Sequence, residues 1–435
     1  MAQAVTAPRG TQDIVPPDSR RWSDLEARVR SLAGRFGYGE IRTPAFEATE
    51  LFVRGVGDAT DIVEKEMYSF RDRSDRELTL RPEWTAPVVR AALERRLLDG
   101  EARLFYIGPI FRYERPQRGR YRQSHQFGVE CFGVAGPEAD VEVISMAWEL
   151  TCEYALNDVV LNINTIGDAA CRPIYRQRLL DHFRPHLPEL SEESRRRLER
   201  NPLRVLDSKD PADLPFVATA PAFEDSLCAA CRDHFEAVKA YLDAIGIPYV
   251  VNSKIVRGLD YYNRTVFEIT SGALGAQSTV CGGGRYDGLV RELGGPAVPA
   301  VGFALGLERF LLVVEAAGAP AQAARDGIQA IALGQAALTE LVPVIVELRR
   351  TLQRPVYAEY SDRKLLAQLK VADRNRARYA LVAGSDELAA GRVLLRDLED
   401  RSERALPLES PERLAQAVAA IFAQNEAPAG SRAEA

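Results

Sequence analysis

The segment FRYERPQRGRYRQSHQFGVE, residues 111–130, limits what this chain can fold into more than any other. If a turn at 116–119 separates two extended runs, successive side chains alternate between opposite faces. Arg112 and Glu114 then share a face of the first run, and Arg122, Ser124, Gln126 and Glu130 share one on the second. The opposite face carries Phe127, Val129 and Cys131, which read as core. A polar face is expensive to bury unless it is paired. The hairpin therefore points to a pocket for a charged, hydrogen-bonding ligand.

A chain of 435 residues, 46% of them hydrophobic, implies two or three conventional globular domains. No apolar run reaches membrane-spanning length and the N-terminus has no signal-peptide pattern, so a cytoplasmic protein without a membrane partner is expected. The net charge of −6 argues against non-specific coating of nucleic acid and leaves any RNA contact to local basic patches, at 112–122 and 361–380. The six cysteines are scattered, as in a reduced protein. Cys228, Cys231 and His234 invite a zinc reading, but they lack a local fourth ligand and read as core packing, so no metal site is expected.

Periodicity suggests an α+β fold. Residues 1–167 mix a helix with short strands as the first part of an antiparallel catalytic domain, and 168–249 turn helical and charged, as an insertion. Strand-like, glycine-rich sequence at 250–318 resumes the first domain, with a helix from about residue 304. An α/β domain follows at 319–424, then a disordered tail at 425–435.

Neither a phosphate-binding P-loop nor a dinucleotide fingerprint is present, so a nucleotide must be held by arginine forks, for which Arg112, Arg120, Arg122, Arg257 and Arg309 are candidates. Arg257 opens RGLDYY with Tyr261 and Tyr262. In CGGGRYDGL, residues 281–289, the glycines suit either close approach to a ligand or a tight turn. GFALGLERF, residues 302–310, reads as a helix opening with Arg309 opposite its apolar stripe. In LRPEWTAP, residues 80–87, an extended reading puts Glu83 and Thr85 on one face, suited to an ammonium group, with Trp84 pointing away. Arg363, Lys370 and Arg374 fall on one face of a helix, either solvated or in contact with nucleic acid.

Together these motifs resemble the histidyl-tRNA synthetases, a family of class II aminoacyl-tRNA synthetases, through nearly the whole chain. RGTQD at 9–13, EIRTP at 40–44, RPEWT, the 111–123 arm, RGLDYY, GGGRYD and GFALGLER carry the likeness, and QLKVAD and SDELAAG resemble the family's anticodon-binding domain. The resemblance implies a class II antiparallel sheet flanked by helices, and ATP-dependent ligation of L-histidine to tRNA(His) through a histidyl-adenylate, with release of AMP and pyrophosphate. It implies ATP with Mg2+ and no prosthetic group, and a homodimer built on the segment before Pro44.

By the same resemblance Glu83, Thr85 and Gln126 hold the amino acid's ammonium, Glu130 and Tyr262 bind the imidazole nitrogens, and Tyr261 walls the pocket. Arg112 and Arg257 flank the carboxylate and α-phosphate as the catalytic pair. Arg120 reaches the terminal phosphates, Glu114 the adenine edge, and Arg309 stacks on adenine. Arg363, Lys370 and Arg374 become candidates for tRNA contact. Trp84 replaces a usually small residue, and Ser124 replaces an aromatic that packs on adenine, which implies weaker ATP binding. The competing readings are a catalytically silent histidine sensor, which typically loses such residues, and an RNA-binding module, which leaves a complete amino-acid pocket unexplained.

Overall fold

The runs Ala102–Phe111 and Gln123–Phe132, both largely buried, join as a long antiparallel pair, with Gly108 opposite Gln126 and Ile110 opposite Ser124. They form part of an eight-stranded sheet, in the order Gly39–Glu40, Ala102–Phe111, Gln123–Phe132, Ala300–Gly306, Thr279–Arg285, Asn263–Ser271, Val159–Thr165, Val250–Val251. The computed structural model describes residues 4–57, 60–255, 259–275, 278–318, 325–361 and 363–426. It divides into two compact units, Met1–Ala321 and Gln322–Ala435.

One face of the large sheet buries Phe127, Val129 and Cys131, as alternation predicts, against apolar residues of the helices Asp18–Arg35, Pro137–Glu153 and Ala229–Ala244. The other face presents Tyr106, Phe132, Val266 and Tyr286 to a second core, which includes Tyr175, Leu179 and Phe183 of the helix Arg172–Phe183. The chain between the strands Val159–Thr165 and Val250–Val251 is helical, as expected, and contributes to both cores.

One expectation changes, and one alternative is settled. Residues 300–306 form a strand, and the helix starts only at Leu307, running to Ala316. Glycine-spaced apolar residues fit either period, and pairing of Ala300–Gly306 with strands on both sides decides it. The glycines of CGGGRYD lie inside the strand Thr279–Arg285 rather than in a turn. A side chain at Gly283 would put its Cβ 2.3 Å from the Gly302 carbonyl oxygen, so the bare backbone is what lets these strands pack.

A buried ion pair ties this strand to the helical layer. Arg285 and Asp140 are both fully buried, and the guanidinium also donates to the carbonyls of Val134 and Gly136 at 2.9 and 2.8 Å. His234 completes the cluster, with Nε2 3.3 Å from Asp140 Oδ1. The Asp140 carboxyl lies below its ordinary range because its hydrogen bond to His234 and the Arg285 charge outweigh burial.

The second unit has a five-stranded sheet in the order Val356–Ala358, Ile328–Ala332, Tyr379–Ala383, Arg392–Asp397, Glu403–Pro407, parallel in its first three strands and antiparallel thereafter. The exposed edge strand Glu403–Pro407 was not expected from its charged sequence. The last helix, Pro411–Glu426, reaches two residues into the expected tail, and 427–435 lie outside the described residues. Among the described residues no helix is long and apolar enough to cross a membrane.

Candidate active site

Two carboxylates lie buried together beneath the sheet's second face. Glu83 does not sit in an extended segment: Thr85 opens the helix Thr85–Glu94, and Glu83 accepts hydrogen bonds from the backbone N–H groups of Thr85 and Ala86 at 2.8 and 2.9 Å. Free N–H groups at a helix start attract a carboxylate, which is why RPEWT turns helical there. Burial nevertheless raises the Glu83 carboxyl above its usual range, against those bonds and the Arg112 charge.

The Thr85 hydroxyl donates to Glu130 Oε1 at 2.8 Å, so one residue serves both acids, Glu83 through its backbone N–H and Glu130 through its side chain. Glu130, only 1% exposed, also accepts from the Tyr106 hydroxyl at 3.4 Å and from the Tyr286 hydroxyl. Burial pushes its carboxyl up to about 8, with the Glu83 charge adding to the effect and the tyrosine and threonine bonds opposing it. Gly302 faces Glu130 across the strands, and a Cβ there would lie 2.0 Å from Glu130 Oε2. Tyr261 and Tyr262, both nearly buried, pack edge-on against Tyr286.

Beside this cluster opens a cavity of about 300 Å³ lined by Arg112, Glu114, Arg120, Ser124, Gln126 and Arg309, among others. Arg112 is anchored by Nε donating to the Pro82 carbonyl at 2.8 Å. Glu114 lies 3.9 Å from Arg112 and 3.0 Å from Arg120, between the two guanidiniums. The stem of Arg309 passes close to two glycines: a Cβ at Gly119 would approach its Cγ to 3.4 Å, and one at Gly306 its Cδ to 3.5 Å. Gln126 Oε1 is buried with no hydrogen-bond partner among the described residues, so an acceptor is turned inward with nothing yet to accept.

The structure thus gathers Arg112, Glu114, Arg120, Gln126 and Arg309 around one cavity and Thr85, Glu83, Glu130, Tyr261 and Tyr262 in the buried cluster. Arg257 lies outside the described residues. Arg122, the remaining fork candidate, stacks instead over Tyr113, 3.9 Å from its ring centre. In the second unit Arg363 precedes the helix Leu365–Arg374, and Lys370 and Arg374 lie on it; all three are exposed, and Arg363 pairs with Glu359 at 3.2 Å.

Sequence reasoning missed Tyr106 and Tyr286, whose hydroxyls hold Glu130, and Lys209 and Glu268, which line the cavity. Tyr106 was findable, because it shares the strand parity of Arg112. Lys209 was not, because it arrives from the insertion.

Trp84 does not point into this site. Its ring stacks on Tyr106 at 4.8 Å and beneath the Arg81 guanidinium at 3.5 Å, and Gly108 makes room, since a Cβ there would lie 2.7 Å from the indole.

The histidyl-tRNA synthetase family model matches residues 10–310, and an anticodon-binding domain model matches 330–416. The chain belongs to the histidyl-tRNA synthetase family. It is 49% identical over 408 residues to the histidine–tRNA ligase of Pelotomaculum thermopropionicum, covering 93% of this chain and 96% of that one. With the histidine–tRNA ligase of Desulforamulus reducens it shares 48% over 408 residues, 93% and 97% of the two chains. The crystal structure of apo S. aureus histidyl-tRNA synthetase superposes with a TM-score of 0.78 at 35% identity, covering 95% of this chain and 99% of that one. Membership of the histidyl-tRNA synthetase family accounts for both units and for the antiparallel architecture of the first.

Proposed function

We propose that this chain ligates L-histidine to tRNA(His) at the expense of ATP, through a histidyl-adenylate, in the site described above. The observation that carries the reading is the adjacency of two environments: a buried, tyrosine-walled pair of carboxylates and a cavity edged by arginines. The first suits a small zwitterion with a hydrogen-bonding ring. The second suits a polyphosphate.

In this reading the histidine ammonium meets Glu83, Thr85 and the unpaired Gln126 oxygen, and the imidazole lies between Glu130 and the Tyr262 hydroxyl, against Tyr261. Arg112, with Arg257, draws the substrate carboxylate and the α-phosphate together. Their approach joins two anions, so fixed guanidinium groups lower the barrier by stabilising charge that grows at the phosphorus oxygens. Arg120 takes the terminal phosphates, Glu114 turns to the adenine edge, and Arg309 stacks on the base. Magnesium arriving with ATP would offset phosphate charge, and Glu268 on the cavity wall would offer it a hard oxygen ligand. Attack of the tRNA terminal ribose hydroxyl on the mixed anhydride then needs no protein nucleophile.

Selectivity follows from pairing. A wrong side chain leaves buried polar groups unsatisfied, which costs far more than a missing methylene. The protein acts in the cytoplasm as a homodimer formed through the segment before Pro44, which sedimentation at micromolar concentration tests. Arg363, Lys370 and Arg374 offer exposed charge to the tRNA backbone.

The decisive experiment is ATP–pyrophosphate exchange with each standard amino acid in turn. Exchange with histidine alone is expected; none, in a sample that binds ATP, favours a histidine sensor instead.

Two further results are expected. Ser124 lines the cavity without an aromatic surface, so Ser124→Phe should gain roughly 1 kcal/mol of stacking and lower the KM for ATP several-fold. An unchanged or larger KM defeats that role. Histidine binding should also release protons. With its carboxyl pushed up to about 8, Glu130 in the empty site holds a proton at neutral pH. An imidazole N–H favours the carboxylate and lowers that value, so affinity rises with pH until Glu130 is already ionised. Calorimetry in buffers of different ionisation enthalpy reads the proton, and buffer-independent heats near neutrality contradict the assignment.

A further inference from the structure

Away from the active site, three thiols and a carboxylate converge where the helical insertion leaves and rejoins the large sheet. Asp168 and Cys171 follow the strand Val159–Thr165, and Cys228 and Cys231 open the helix Ala229–Ala244. Their four ligand atoms all lie within 4.8 Å of one another. His234, which the sequence offered as a zinc ligand, is engaged by Asp140 instead, and the ligands missing from the local spacing come from far upstream in the chain.

We propose that Asp168, Cys171, Cys228 and Cys231 form a structural zinc site that staples the two ends of the insertion. A tetrahedral zinc with bonds of about 2.3 Å to sulfur sets ligand atoms about 3.8 Å apart, so closing the shell requires contraction of about 1 Å across the widest pair. Three thiolates with one carboxylate select zinc over magnesium or calcium, which prefer an all-oxygen shell.

The surroundings suit an anionic centre. Cys171 occupies the N-cap position of the helix Arg172–Phe183 and Cys228 that of the helix Ala229–Ala244, so both residues sit at helix N-termini, where positive partial charge favours a thiolate. The Cys228 N–H donates to Cys171 Sγ at 3.1 Å, and Arg264 lies 3.9 Å from Asp168 Oδ2. Asp168 Oδ1 is held by the backbone N–H groups of Ala170 and Cys171 at 2.9 and 3.3 Å, which fixes the carboxylate and turns its other oxygen away from them.

Half of the site is buried, while Asp168 and Cys228 are partly exposed. Cys171 and Cys231 are essentially buried, and Gly167, at φ +56°, lets the chain pass so near that a Cβ there would lie 2.6 Å from both Cys171 Cβ and the Phe223 ring. Four protein ligands leave no open coordination position, the mark of a structural rather than a catalytic metal. The bond it makes joins positions 57 residues apart, the kind of long loop whose closure most restricts the unfolded chain.

The test uses the full chain, purified under reducing conditions without chelator and assayed for zinc. About one zinc per chain is expected, together with a thiolate-to-metal charge-transfer band after exchange into cobalt. Cys171→Ser and Cys228→Ser should lose both signals, while Cys152→Ser, at an exposed cysteine outside the cluster, keeps them. If the cluster variants fold poorly, the parent chain decides alone. A reduced protein that takes up neither zinc nor cobalt, with these thiols still open to alkylation in the presence of zinc, overturns the proposal.

Discussion

Arg112→Ala should lower kcat/KM for histidine-dependent pyrophosphate exchange by about a hundred- to a thousand-fold, the usual loss when one group stabilising transition-state charge is removed. Arg112 is fixed before substrate arrives, because its Nε is tied to the Pro82 carbonyl at 2.8 Å and only the terminal nitrogens remain for the cavity. Such preorganisation makes the group effective, since no reorientation is needed as charge develops. Arg112→Lys should recover only part of the loss: the charge returns but the two-pronged geometry does not. Exchange kinetics at saturating and limiting histidine separate the effects. A loss confined to KM, or one below about tenfold, removes Arg112 from the chemical step, and an unchanged melting temperature excludes a folding defect.

The largest expected effect on stability lies at Arg285. Replacing it with methionine should cost about 3–5 kcal/mol, because a buried carboxylate loses its charged partner. Among the described residues Asp140 would keep the His234 ring as its side-chain partner, at 3.3 Å. The pH dependence carries a clear sign. In the parent protein the Asp140 carboxyl is depressed, so its contribution is present above the unfolded carboxyl value and fades as pH falls through the lower folded one. In Arg285→Met the unpaired carboxyl rises, so the deficit should shrink under acid. Urea midpoints across pH measure this, and a deficit that does not vary with pH excludes the electrostatic account. Removing both partners, as Asp140→Leu with Arg285→Met, should cost less than the sum of the single changes.

Much of this architecture could be read from the chain because its signals are local. The alternation of Ser124, Gln126 and Glu130 against Phe127, Val129 and Cys131 needs only a strand's period of two, and the structure has it. The errors arose where a neighbour decides the outcome. Residues 302–306 carry an apolar pattern compatible with either period, and only pairing with Gly128 and Glu130 on one side and with Gly282 and Gly284 on the other makes them a strand. The helix at Thr85 depends on the Glu83 carboxylate turning back to cap it. Cys171 meets Cys228 only through the return of the insertion, which no local spacing encodes. Of the candidate site, the polar inventory was visible and its support was not: the hydroxyls of Tyr106 and Tyr286 that hold Glu130 belong to residues that read as core.

Trp84 and Gly108 carry a consequence for how this chain can change over time. The indole occupies the space that a side chain at 108 would need, with 2.7 Å between the ring and a Cβ built there. Shrinking Trp84 alone leaves a void beneath Arg81 and Tyr106, and enlarging Gly108 alone drives a clash, so either single step is penalised. The two positions form a mutational valley, crossed readily only in tandem. A lineage that has acquired the tryptophan is held to it by a neighbour that takes no part in the chemistry.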